Sequence, residues 1–118
     1  MRLRFPLAFC ILTVVMSSAP ASARGPFAYI PNSGSGDVSV IDMATDTVVD
    51  TVAVAPFLQA ATVNPTGSRV YTSSISTGAV YVLNGLTHAL VATIPVSAFG
   101  VYSLALDPTG ATLYATTG

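Results

Sequence analysis

The sequence predicts an all-β repeat fold built from four-stranded antiparallel sheets, and three observations predict it. After residue 23 the chain superposes on itself when it is shifted by 42 residues. Its segments are short, rich in β-branched residues, and separated by Gly, Pro, Asn, Asp and Ser. The same stretch has neither lysine nor glutamate and is dominated by Val, Thr, Ser and Ala, a texture that suits pleated strands and polar turns rather than helices.

The repeat is detailed enough to give a register. A shift of 42 places Tyr29 on Tyr71, Gly36 on Gly78, Val38 on Val80, Val40 on Val82 and Asp42 on Asn84. It continues with Thr45 on Thr87, Val49 on Val91, Thr51 on Thr93, Val52 on Ile94 and Val54 on Val96. A shift of 43 then places Asn64-Pro65-Thr66-Gly67 on Asp107-Pro108-Thr109-Gly110, and Val70-Tyr71 on Leu113-Tyr114. One residue has therefore been added between Val96 and Leu104, inside a segment that reads as a loop, where repeat arrays tolerate length changes.

Within the complete copy four strands are predicted, over about Ala60 to Asn64, Arg69 to Ser73, Ala79 to Asn84 and Ala89 to Val96. Asn64-Pro65-Thr66-Gly67 joins the first two, because Pro presets φ at one position and Gly accepts a positive φ at another. Ser33-Gly34-Ser35-Gly36 and Ser76-Thr77-Gly78 serve the following pair. Val38, Val40 and Asp42 alternate with Ser39 and Ile41, so one face of that strand is mostly apolar and the other mixed, and sheets buried on both sides are expected. Four-stranded units at this spacing match β-propeller blades, because one blade covers its two faces only when stacked between neighbours.

The stretch Ala28-Tyr29-Ile30-Pro31-Asn32-Ser33-Gly34-Ser35-Gly36-Asp37-Val38-Ser39-Val40-Ile41-Asp42, followed by Thr45-Asp46-Thr47-Val48-Val49, resembles the YVTN family of β-propeller repeats. The likeness extends over residues 24–118. It departs at Ile30-Pro31, where the family has Val-Thr, and at Leu83-Asn84-Gly85, where it has Ile-Asp. Three repeat copies are read, over about 27–56, 57–98 and 99–118. The resemblance implies that Phe27 opens the second strand of a blade and that the chain carries about two and a third blades. A ring needs roughly four to eight. The expectation is an N-terminal fragment of a longer propeller, with self-association of several copies into one ring as the alternative.

Ahead of the repeats lies a segment with the order of a cleavable secretory signal: Arg2 and Arg4, an apolar run from Leu7 to Met16 broken only by Thr13, then Ala21-Ser22-Ala23. The run is about half the ~20 residues a membrane span requires, and no second such run follows, so no transmembrane anchor is expected. The single cysteine, Cys10, sits inside the run and reads as part of the signal's apolar core, leaving no thiol or disulfide after cleavage. The expected location is outside the cytoplasm, either periplasmic or at the cell surface.

After position 23 the charged residues are Arg24 and Arg69 against Asp37, Asp42, Asp46, Asp50 and Asp107. No clustered cations exist to neutralise phosphates, so nucleic acid is not indicated as a partner. His88 aligns with Asp46 and reads as a solvated turn residue. With one histidine and no cysteine, zinc, copper and haem ligand sets are not completed, and no metal or cofactor is expected. The spacing of Asp37, Asp42, Asp46 and Asp50 does not form a calcium loop, and turn chemistry accounts for them. No Ser sits in a nucleophile elbow with a histidine base, so no catalytic residue is assigned. Tyr29, Tyr71 and Tyr114 share one repeat position and are expected to pack between blades. Phe57, Phe99 and Tyr102 flank the loops leading into the first strand of a blade, which in propellers lines the channel, and are the candidate ligand-facing rim.

The expected role is a non-catalytic binding or scaffold module for a protein or small-molecule ligand. The resemblance also brings in propeller enzymes, namely lactonase-like hydrolases and periplasmic quinoprotein dehydrogenase subunits, whose sites would lie in other blades. It further brings in structural cell-surface repeat proteins.

Overall fold

The computed structural model describes residues 26–118, so the signal segment read over residues 1–23 lies outside the described residues. Nine strands follow one another with no helix among the described residues. β1 (Phe27–Asn32), β2 (Asp37–Asp42) and β3 (Thr47–Ala53) form one sheet in that order. β4 (Leu58–Val63), β5 (Arg69–Ser74), β6 (Ala79–Asn84) and β7 (Leu90–Pro95) form a second, and β8 (Val101–Leu106) with β9 (Leu113–Thr117) a third. Every pairing is antiparallel between consecutive strands. These sheets are successive β-propeller blades, referred to below as blades 1, 2 and 3.

The turns are made by the residues the repeat singles out. Asn64 and Arg69 close the β4–β5 hairpin through the Asn64 N–H to the Arg69 carbonyl at 3.0 Å, and the Asn64 side chain accepts the Arg69 N–H at 3.0 Å. Asp107 does the same work in blade 3, its carboxylate accepting the Ala111 N–H at 2.8 Å. Between the third and fourth strands, Asp42 accepts from the Ala44 N–H and Asn84 from the Leu86 N–H, both at 2.8 Å. Four residues further on, Asp46 and His88 both adopt positive φ, a conformation in which Asp and His are enriched among non-glycine residues.

Irregularities repeat as faithfully as the turns. Register shifts leave Val49 and Val91 unopposed on the outermost strands, and Gln59 and Tyr102 unopposed on the innermost ones. Each is a one-residue bulge that bends the strand and sharpens its twist. β4 begins at Leu58, two residues before the predicted Ala60, because the bulge carries pairing past the interruption at Gln59.

The core lies between blades 1 and 2. Val70 and Thr72 of β5 stand opposite Leu83 and Tyr81 of β6, so these four side chains share one face. That face packs with Val38, Ala55, Leu58 and Ala79, and Tyr29, Val52 and Val54 close over it. Full burial of each of Leu58, Leu83, Val38 and Val70 contributes about 1.5–3 kcal/mol.

Burial on both sides holds for β6, but the outermost strands β3 and β7 are exposed along nearly their whole length. Sheets that radiate from an axis diverge outwards, and each successive strand is rotated by roughly 20–25° from the last. The outer strands therefore leave contact first. Three polar side chains are fully buried in β5: Thr72 donates to the Ala60 carbonyl at 2.8 Å and Ser74 to the Pro56 carbonyl at 2.7 Å. The Ser73 hydroxyl between them has no hydrogen-bond partner.

Candidate functional site

One end of the blades gathers the β1–β2 turn, the β5–β6 turn and the connections from each outer strand to the next inner strand. Phe57 lies at the centre of this end. Its N–H donates to the Ser33 carbonyl of blade 1 at 3.2 Å, and its own carbonyl accepts the Ile75 N–H of blade 2 at 3.0 Å. The carbonyl of Pro56 just before it accepts the Ser74 and Ser76 hydroxyls. This bracing holds Phe57 at φ 54°, in the left-handed region, where a bulky residue is an outlier.

The residue is nonetheless 54% exposed. At the next interface the same slot is filled by Gly100, at φ 93°, pressed so closely on the Ile75 carbonyl that no side chain fits. The backbone there suits glycine, and blade 2 carries a solvent-facing aromatic ring instead. Beside it a shallow groove of about 340 Å³ is lined by Gly34, Ser35, Gly36 and the segment Ala53 to Pro56.

Phe99 falls in the loop that carries the added residue and is 72% exposed, its N–H accepted by the Ser97 hydroxyl at 3.0 Å. Phe57 and Phe99 thus crown adjacent inner strands, since β4 lies beside β8. Tyr102 is the unopposed bulge residue of β8 and turns towards the end of β9, where Gly118 approaches its ring. The structure therefore places two of the three predicted rim residues together at one end and directs the third along its own blade.

The tyrosine ladder packs as expected at its first rung. Tyr29 donates its hydroxyl across the interface to the Gly85 carbonyl of blade 2 at 3.2 Å, and burial pushes its phenol above the ordinary tyrosine range. Tyr114, the equivalent position in blade 3, is exposed because no further blade covers it among the described residues.

His88 corrects the sequence reading. It does occupy the turn, but its side chain is only 11% exposed and is not solvated. Its Nδ1 lies 3.2 Å from Asp50 Oδ2 of blade 1, and its ring meets the edges of Phe27 and Tyr29 at centroid distances of 5.1 and 5.9 Å. Left-handed φ at His88 turns the side chain back across the interface. A cleft of about 290 Å³ lies nearby, lined by Phe27, Tyr29, Gly85 and the Val63–Gly67 turn.

The other aspartates support turns. Asp37 accepts from Asn32 and Ser35. At Asp107 burial raises the carboxyl, but donors from Thr112, Thr109, Ala111 and Gly110 together outweigh it and hold the group below the usual carboxylate value. Among the described residues no three His, Cys, Asp or Glu side chains lie close enough together to hold a metal ion.

The fold and this end of it define a β-propeller segment. No protein-family model matches the chain, and no curated protein is similar to it in sequence. Solved β-propeller structures are similar to it. Hydrazine synthase of Kuenenia stuttgartiensis superposes with a TM-score of 0.75 at 24% identity, over 80% of this chain and 27% of that one. The dihydro-heme d1 dehydrogenase NirN, solved in complex with DHE, superposes with a TM-score of 0.67 at 19% identity, over 80% of this chain and 20% of that one. The chain spans about a quarter and a fifth of these two proteins.

Proposed function

We propose that this chain is an exported binding module, part of a larger YVTN-type propeller, whose ligand sits on the blade end that carries Phe57 and Phe99. The observation that carries the reading is Phe57. Strained backbone that the surrounding structure over-determines concentrates at functional sites, and here a bulky residue occupies a slot that the neighbouring interface fills with glycine. Holding an aromatic ring half in solvent gives a rigid anchor with little rotamer entropy to lose on binding. The loops around it, Ser33–Gly36, Ala55–Pro56, Ser76–Gly78 and Ser97–Gly100, carry no charged residue, so the ligand surface they suit is uncharged and partly apolar.

A second reading follows from the structural likeness. Hydrazine synthase and NirN, two of the solved structures that superpose on the chain, are named as enzymes, and the chain spans only a fraction of each. On this reading the three blades are scaffold for an active site in other blades of the same ring.

The test replaces Phe99 by the photo-crosslinking residue benzoylphenylalanine and irradiates the protein in its native extracytoplasmic setting. A discrete adduct, lost when Phe57 is replaced by Gly, supports the binding module. No adduct, or one indifferent to Phe57, sinks it and leaves the scaffold reading.

A further inference from the structure

Three departures from the repeat meet at one point between blades 1 and 2. Phe27 stands where the repeat has Arg69 and Thr112, Asp50 where it has Ala92, and His88 where it has Asp46. They come from β1, from β3 and from the β6–β7 turn, and they touch: the His88 ring edge lies on Phe27 at 5.1 Å, and its Nδ1 lies on Asp50 Oδ2 at 3.2 Å. Most of the surrounding contact is made by residues that do repeat, such as Tyr29 and Val38, whose counterparts are Tyr71 and Val80.

Repetition creates an assembly problem. The face blade 1 offers to blade 2, with Tyr29, Val38 and Val40, carries nearly the same side chains as the face blade 2 offers to blade 3, with Tyr71, Val80 and Val82. Apolar contacts of that kind do not distinguish one blade from the next, and exchange between copies is a characteristic failure of repeat proteins. Discrimination requires a group that is satisfied in the right pairing and stranded in the wrong one.

His88 is such a group. Docked on blade 1 it meets a carboxylate and two aromatic edges. Docked on the blade 2 face of a second copy, it would lie opposite Ala92 and Arg69, an apolar side chain and a cation. Its Nε2 is buried without a partner even in the native pairing, so the residue is not there to maximise stability. We infer that Phe27, Asp50 and His88 form a register key that admits blade 2 onto blade 1 and rejects it from equivalent faces.

The test refolds the full chain from denaturant over a range of concentrations and measures the share of exchanged oligomer by size exclusion with light scattering. Asp50→Ala and His88→Asp restore the repeat residues and are expected to raise that share about fivefold, the factor that ~1 kcal/mol confers. The reversed pair, Asp50→His with His88→Asp, is expected to bring it back to the wild-type level. Transplanting the key to blade 2 with Arg69→Phe and Ala92→Asp leaves blade 1 untouched and should also raise the share, by giving His88 a second seat. Wild-type shares for the two repeat-restoring variants, failure of the reversed pair to rescue, or no response to the transplanted key would each overturn the inference.

Discussion

Replacing Phe57 by glycine and, separately, by alanine isolates the backbone strain at the proposed binding end. Both substitutions remove the ring. Since 54% of the residue is exposed, the lost burial is about half of a full phenylalanine, on the order of 1–1.5 kcal/mol. Alanine keeps the left-handed penalty of about 1–2 kcal/mol, whereas glycine relieves it at a cost of about 0.4–1 kcal/mol in unfolded-chain entropy. Glycine should therefore exceed alanine by about 0.5–1 kcal/mol and lie close to the wild type. Thermal unfolding followed by circular dichroism reads this as a melting temperature roughly 2–8 °C higher for Phe57→Gly than for Phe57→Ala. An alanine variant as stable as the glycine variant would refute the claim that Phe57 is held against its conformational preference. A glycine variant more than about 2 kcal/mol below the wild type would show that the ring is a packing residue rather than an anchor.

Three further outcomes are expected. Ser73→Ala removes a buried hydroxyl with no partner and should stabilise the chain by about 1 kcal/mol in urea titration. Gly85→Ala would drive its methyl group into the backbone of Gly67, so the β4–β5 and β6–β7 turns of blade 2 must move apart, and the variant should lose 3 kcal/mol or more, on the order of the largest overpacking costs. Tyr29 is held neutral by burial while donating to Gly85, so its contribution is complete below about pH 10 and is lost as pH rises through its elevated folded value. Tyr29→Phe should be about 1 kcal/mol less stable at pH 7, and its stability should fall less than that of the wild type between roughly pH 9 and 11.

Much of the architecture was readable because each turn is built by residues within a few positions of one another. Asn64, Gly67, Asp107 and Gly110 advertise hairpins through local hydrogen bonding and φ preference, and the repeat multiplies that signal. Phe57 and Phe99 were also legible as aromatics at a loop before an inner strand, and the rim role proposed for them rests on that position and on their exposure. The strain at Phe57 was not legible, since it comes from its backbone being tied to Ser33 of blade 1 through its N–H and to Ile75 of blade 2 through its carbonyl. The sole signal in the sequence is that the 43-residue alignment sets Phe57 against Gly100. His88 was misread for a related reason: alignment with Asp46 assigned it a turn, correctly, but which way a turn residue faces depends on the neighbouring blade.

Sequence alone thus determined the β class, the blade length, the turn positions and the register of the repeat, because these follow from local backbone preferences and from period-2 burial within a few residues. The tertiary structure decided what happens between blades. Tyr29 reaching Gly85, Asp50 reaching His88, and Phe57 bridging two turns all join residues that are distant in the chain and belong to different sheets. A repeat makes every blade look alike along the chain, and only stacking them shows where the differences meet.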